Sequence, residues 1–299
     1  MAAPSPSLST ASAAAPHGHP WDKAAQGWNS HAAVIRAWLT EATAAMLAAA
    51  GIVPGARVLD IAAGAGDQTL DIARLVGPQG HVLATDISPA ILALAAGNAR
   101  AAGLQQVNPR LADAQALGLA SANFDAAVCR LGLMFCTTPL AALAEARAAL
   151  KPGGRFSALV FSQPQRNPCL AIMMATAIRH AGLPPKSPFE PGTLMSLGEP
   201  GLLERLLRDA GFIDVTVRPV SAPFRLPSGR HYIDFVRSSG TPIMQMLAPL
   251  SASAQSAAWD DMADQLDQFT TATGWEGPNE LLLCAASAGG LPPQLGGGA

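Results

Sequence analysis

The chain of 299 residues predicts an α/β fold: a mostly parallel sheet with helices on both faces and an inserted helical lid. Three observations carry this. Short apolar runs alternate with helix-length segments from residue 57 to residue 161, as parallel strands joined by crossover helices require. The first run leads straight into a Gly-rich loop, Ala62-Ala63-Gly64-Ala65-Gly66. The alternation then breaks, leaving about 60 residues of helical pattern between two late strands, too many for a structureless connection in a compact domain.

The elements follow in order. Two helices are expected over 21–30 and 32–50, the second rich in Ala, Leu and Met, with Gly51 as its stop and Pro54-Gly55 as a turn. A strand over 57–62 centres on Val58-Leu59. After the loop comes a helix over 67–76, ended by Gly77-Pro78, and a strand over 81–85. Ser88 is placed as an N-cap with Pro89 at the first helical position, opening a helix that ends near Gly103. Strands over 107–111 and 124–129 follow, the latter after the turn Ser121-Ala122-Asn123. A helix over 140–150 stops at Lys151-Pro152-Gly153-Gly154, before a strand over 155–161. Short connections imply right-handed crossovers, and a ligand outside the carboxyl ends of the strands where strand order reverses.

Beyond 161 the pattern changes. Residues 164–200 are Pro-rich with one apolar helix over 169–181. An amphipathic helix over 202–210 is closed by Gly211, a strand covers 212–217, and 281–286 is the last strand. The expected organisation is one domain over 21–288, with lid insertions at about 164–200 and 222–275. The Ala/Ser/Pro-rich stretch 1–20 and the Gly/Pro-rich 289–299 read as disordered tails.

Composition excludes several classes. Charged residues are 13% and the net charge is −2, against the basic surface that neutralises nucleic-acid phosphates. No run of about 20 apolar residues predicts a membrane span. The first 20 residues contain neither Lys nor Arg, so a secretory or transit signal is not expected and the cytoplasm is the default location. The four cysteines form no Cys-x-x-Cys pair, which argues against zinc and a disulfide framework, and no metal is expected.

The chemistry-bearing residues stand at strand ends. Asp60 ends the first strand, beside a loop whose glycines allow close backbone approach and whose N–H groups face a ligand at the following helix. Asp86 ends the second strand, 20 residues past Gly66, where it can accept hydrogen bonds from both ribose hydroxyls of an adenosine ligand. Capping the helix at Ser88 is its plainer role. Asp113, past the third strand, can accept an adenine amino group. Three acids around one loop suit a cationic, phosphate-free ligand such as S-adenosylmethionine better than a dinucleotide, and Asp60 is a cofactor-side candidate that can neutralise part of that charge or bind backbone amides.

Here a resemblance becomes specific. Val58-Leu59-Asp60-Ile61-Ala62-Ala63-Gly64-Ala65-Gly66-Asp67 resembles the first motif of class I methyltransferases, and Thr85-Asp86 their second. Leu111-Ala112-Asp113-Ala114, Phe124-Asp125 and Leu150-Lys151-Pro152-Gly153-Gly154-Arg155 follow as in that family, so the resemblance runs over about 21–219. It is nearest to the ubiquinone/menaquinone-biosynthesis methyltransferases. It implies a Rossmann-like sheet of seven strands and S-adenosylmethionine as cofactor. Contacts are implied at Gly64, Ala65, Asp86, Asp113, Ala114 and Arg130, and by extension along the motifs at Ala62, Gly66, Gln68 and Ile87. Two departures stand out. The usual first glycine is Ala62, and the arginine that those enzymes carry after strand four is Met134, which suggests a more apolar acceptor pocket.

On the acceptor side, Trp28 and His31 precede the first strand, with His31 a candidate base and otherwise a surface residue. Met134 and Phe135 are candidates for an apolar wall, and Gln163, Arg166 and Asn167 for orienting a polar group. The expected activity is methylation of a small, largely apolar acceptor, aromatic or polyketide-like, with oxygen slightly ahead of carbon or nitrogen. A homodimer stays open. The competing readings are a catalytically degenerate binding module and a nicotinamide-dependent oxidoreductase, although Asp67-Gln68-Thr69 after Gly66 breaks the loop that the latter needs.

Overall fold

The computed structural model describes residues 20–23, 25–239 and 241–289. The tails expected at 1–20 and 289–299 fall outside these residues apart from Pro20 and Gly289.

Seven strands form one sheet: β1 (Arg57–Ile61), β2 (His81–Asp86), β3 (Val107–Leu111), β4 (Phe124–Arg130), β5 (Leu150–Phe161), β6 (Phe212–Ser221) and β10 (Glu280–Ala288). Their order is β3-β2-β1-β4-β5-β10-β6. β1 runs parallel to β2 and β4, and β2 to β3 and β4 to β5 likewise. β10 is antiparallel to β5 and β6. Strand order therefore reverses between β1 and β4, which opens a crevice beyond their carboxyl ends.

The helices between strands sit where local sequence puts them. α3 (Asp67–Val76) and α4 (Pro89–Ala101) are the crossovers from β1 to β3, and α5 (Pro139–Ala149) joins β4 to β5. Ser88 caps α4 as expected, its Oγ accepting the Ile91 N–H at 3.1 Å. α1 (Ala25–Ser30) and α2 (Ala32–Ala49) precede the sheet, after a 3-10 turn at Pro20–Lys23. α2 is 18 residues long and apolar enough to cross a bilayer by length and composition, which the sequence reading did not flag. It packs instead on β5 and β10, with Leu39 and Met46 fully buried in the core. α7 (Leu202–Asp209) packs on β6 and α5.

The two insertions contain α6 (Pro168–His180), α8 (Gly229–Ser239), α9 (Thr241–Leu247) and α10 (Ala252–Leu266). They also hold a small antiparallel sheet that helical patterning did not reveal: β7 (Phe224–Leu226), β8 (Thr270–Thr271) and β9 (Gly274–Gly277), in the order β7-β9-β8. Its strands are two to four residues long, too short for alternation to register. Aromatic packing joins this unit to the sheet. Phe224 stacks on Trp38 of α2 at 4.0 Å between centroids, and Tyr232 stacks on the fully buried Trp275 at 5.2 Å.

α1 meets α8 at a glycine. A Cβ at Gly27 would stand 1.8 Å from the Ser238 carbonyl oxygen. Gly27→Ala must push the two helices apart, and we expect a loss of about 1–3 kcal/mol in denaturant unfolding. An unchanged midpoint would refute that close approach.

Candidate functional site

The crevice between β1 and β4 opens into a cavity of about 890 Å³, near the top of the range for small-molecule sites. Its floor is the loop after β1. Gly64 has φ +59°, and no atom lies within 4 Å of where a Cβ would be, so its backbone faces open space. Gly66 has φ +92° and sits against Ala95 of α4, 3.1 Å from where its own Cβ would stand. It is the N-cap of α3 and lets the two helices close together.

Ala62 takes the left-handed conformation, φ 54°, that a glycine would adopt freely. Its Cβ faces Gly132, where an added Cβ would stand only 2.3 Å away. The residue with less freedom is thus matched by a glycine at the end of β4. Ala62→Gly should leave the protein no less stable, whereas the same exchange elsewhere commonly costs about 0.5–1 kcal/mol. Gly132→Ala alone should cost about 1–3 kcal/mol, and the double variant should recover most of that loss in denaturant unfolding. Strictly additive effects would show that the two positions do not meet.

Asp60 does not reach the cavity. It is fully buried, with Oδ1 accepting from Gln68 Nε2 at 3.0 Å and Oδ2 from Thr69 Oγ1 at 2.6 Å. The sequence reading gave it a ligand's charge or backbone amides to bind. Its partners are instead two side chains of α3, because the carboxylate points under the loop. Burial pushes its pKa up to about 6, against the opposing pull of those hydrogen bonds and of Arg130. Between about 4 and 6 the folded protein therefore holds a proton that the unfolded chain has released, and stability falls as pH rises through that window, by roughly 3 kcal/mol from this group. Asp60→Asn should lack this dependence. The difference between wild type and variant, measured from pH 4 to pH 7, is expected to shift in the variant's favour. A flat difference would contradict it.

Of the expected cofactor residues, Ala62, Gly64, Ala65, Gln68, Asp86, Ile87, Asp113, Ala114 and Arg130 line the cavity. Asp86 Oδ2 accepts the Gly64 N–H at 3.0 Å, and Oδ1 the Ser88 N–H at 2.9 Å, so the carboxylate holds loop and helix start together. Asp113 folds its own turn, accepting the Gln115 N–H at 2.9 Å. Arg130 donates to Thr43 at 2.8 Å and pairs with Asp67 at 2.8 Å, with only 7% of its side chain exposed. Arg36 pairs with the same Asp67 at 2.6 Å and with Asp71 at 3.2 Å, so the two arginines are matched by two carboxylates on this side.

The sequence reading missed Arg36, Asn29 and Asn98. Asn98 donates to Ala65 O at 2.9 Å and Asn29 Oδ1 at 3.1 Å, tying α4 to the loop and to α1. A lone polar residue in the apolar run of α4 was the available signal. Asp22, in the 3-10 turn, accepts from the Ser88 hydroxyl and brings Trp21 to the cavity wall.

The acceptor-side expectations divide. Trp28 and Phe135 line the cavity. They also line a second chamber of about 70 Å³, together with Met134, Phe161, Phe224 and Tyr232, among others. His31 lines neither. Its Nδ1 lies 3.0 Å from Gly27 O and 3.2 Å from Ser238 Oγ, a junction of α1, α2 and α8 rather than a base facing a ligand. Gln163 and Arg166 line neither space. Asn167 is fully buried and braces β10: it donates to Glu280 O at 3.1 Å and accepts the Glu280 N–H at 3.0 Å. No group of three or more His, Cys, Asp or Glu side chains that would hold a metal occurs among the described residues. All four cysteines are buried.

Residues 58–154 match the family described as a methyltransferase domain. Over 118 residues the chain is 42% identical to the ubiquinone/menaquinone biosynthesis C-methyltransferase UbiE of Teredinibacter turnerae, covering 39% of this chain and 47% of the relative. The same enzyme of Burkholderia vietnamiensis is 41% identical over 133 residues, 44% of this chain and 52% of the relative. The chain thus spans about half the length of the curated relatives it matches. Among solved structures, the YcgJ protein of Bacillus subtilis superposes with a TM-score of 0.56 at 18% identity, over 83% of this chain and 98% of that one. Phosphoethanolamine N-methyltransferase 2 of Haemonchus contortus, in complex with S-adenosyl-L-methionine, gives 0.51 at 17% identity, over 84% and 53%. These likenesses establish the fold that the sequence predicts.

Proposed function

We propose that this chain transfers a methyl group from S-adenosylmethionine to a small, largely apolar, oxygen-bearing ring compound. The observation that carries the reading is the cradle at the β1–β4 switch point, where the open Gly64 backbone and the Asp86 and Asp113 carboxylates line one cavity. The matched methyltransferase domain and the relatives' C-methyltransferase activity support it. The residues present fit the cofactor. Asp86, at the end of β2, is placed for ribose hydroxyls, since a carboxylate oxygen accepts more than one hydrogen bond. Arg36 and Arg130 line the same cavity, where guanidinium N–H groups suit the cofactor's carboxylate. When bound, the sulfonium supplies an activated methyl carbon, so the protein's work is alignment and exclusion of water.

The acceptor half of the reading rests on the aromatic wall. Trp21, Trp28 and Phe135 face the cofactor cavity and no carboxylate or imidazole lines the second chamber among the described residues. A wall without a base suits an acceptor that ionises by itself, such as an acidic phenol or the enol of a 1,3-dicarbonyl. Oxygen carries most of the charge in such an anion, which favours O-methylation. The ring carbon of the same anion is the alternative, and the C-methylating relatives speak for it. Met134, buried in the chamber wall in place of the arginine that the quinone enzymes' pattern implies, speaks for an acceptor less polar than theirs.

Calorimetry tests the core of this. S-adenosylmethionine should bind in the micromolar range and NAD should not. Asp86→Asn and Asp86→Ala should weaken binding about tenfold to a hundredfold, the cost of losing hydrogen bonds to a charged group. No binding to the wild type, or variants equal to it, would sink the proposal.

A further inference from the structure

The indole Nε1 of Trp28 is buried and has no hydrogen-bond partner. The indoles of Trp38 and Trp275 show the usual outcome for a buried donor: they donate to Ala222 O and Leu266 O, each at 2.7 Å. An unpaired buried donor costs about 1–3 kcal/mol, so its survival calls for a partner that arrives later. Asn279 Oδ1 is the other buried side-chain atom without a partner among the described residues, and Asn279 lines none of the cavities.

The location of Trp28 says what that partner is. Trp28, Trp21, Leu131 and Phe135 line both the large cavity and the aromatic chamber, so they form the partition between the two. Trp28 is held there by the close approach of Gly27 to α8 and by an edge contact with Phe235, 6.3 Å between centroids at 77°. An indole N–H donates and cannot accept. It therefore suits an oxygen with lone pairs and repels an ammonium group, whose own N–H bonds would point back at it. Around it the chamber wall is aromatic and aliphatic, which suits the flat face of a ring.

We propose that Trp28 is a positioning residue whose indole N–H donates to an oxygen of the acceptor ring, a carbonyl, phenolate or enolate, and so selects a planar oxygenated acceptor over its hydrocarbon analogue. The identity of this ligand as the methyl acceptor rests on the proposed function. The contact itself does not, because it depends only on the partition and its unpaired donor.

The test uses 1-naphthol and naphthalene as a matched pair with and without the oxygen. Protein labelled with 15N in its five tryptophans is first given S-adenosylhomocysteine. The Trp28 indole signal is assigned by its loss in Trp28→Phe, or by elimination with variants of the other four tryptophans. 1-Naphthol should move that signal downfield and naphthalene should not. Trp28→Phe should weaken 1-naphthol about fivefold to tenfold, the worth of one hydrogen bond, and naphthalene less than about twofold. Equal weakening of both, an unmoved Trp28 signal with 1-naphthol bound, or no binding of 1-naphthol at all would overturn the proposal. Should the protein not bind S-adenosylhomocysteine, the methyl-transfer reading falls. The same two titrations on the protein alone then decide the Trp28 contact.

Discussion

The buried carboxylate of Asp60 is the constraint on which the rest of the site depends. It lies near the end of the inner strand β1 and takes its hydrogen bonds from Gln68 and Thr69, in the first turn of α3. A charge without access to water must be paired, so the start of α3 cannot drift from the end of β1. The intervening loop is then forced through a tight path, with Ala62, Gly64 and Gly66 all at positive φ. That path leaves the Gly64 backbone facing the cavity and Asp86 within reach of its N–H. The shape of the candidate cradle is in this sense a consequence of how one buried acid is satisfied.

The two sides of the cavity are built by different forces. The side at the strand ends is a hydrogen-bonded frame: Asp86, Asp113, Asn98 and the Arg130–Asp67–Arg36 series each fix a segment of backbone or a neighbouring charge. Such contacts are directional and tolerate little displacement. The opposite side, beyond the partition, is the second chamber, walled by rings: Phe224 stacks on Trp38 and meets Tyr232 edge-on. Ring packing is strong in area but permissive in geometry.

Where sequence reading and structure part company, the cause is consistent. Asp86, Asp113 and the loop were legible because each stands a fixed number of residues from a strand end, and the parallel sheet brings strand ends together. His31, Gln163, Arg166 and Asn167 were assigned from proximity in sequence to a site-bearing element. Proximity does not state a direction: Asn167 turns away to brace β10, and His31 lies at the α1–α8 junction. The strands β7, β8 and β9 were hidden because two to four residues carry no period.

By itself the sequence determined the sheet, its crossovers and the placement of the strand-end residues that line the cavity, since these follow from short-range periodicity, capping and the handedness of strand–helix–strand units. Only the tertiary structure decided that Asp60 is a brace rather than a ligand contact, that Ala62 is accommodated by Gly132, and that Trp28 lies in the partition with an unpaired donor. The last two depend on atoms brought together from distant parts of the chain, across the β1 loop, β4, α1 and α8. Packing at that range is fixed by shape and by the pairing of buried polar groups, and no local pattern encodes it.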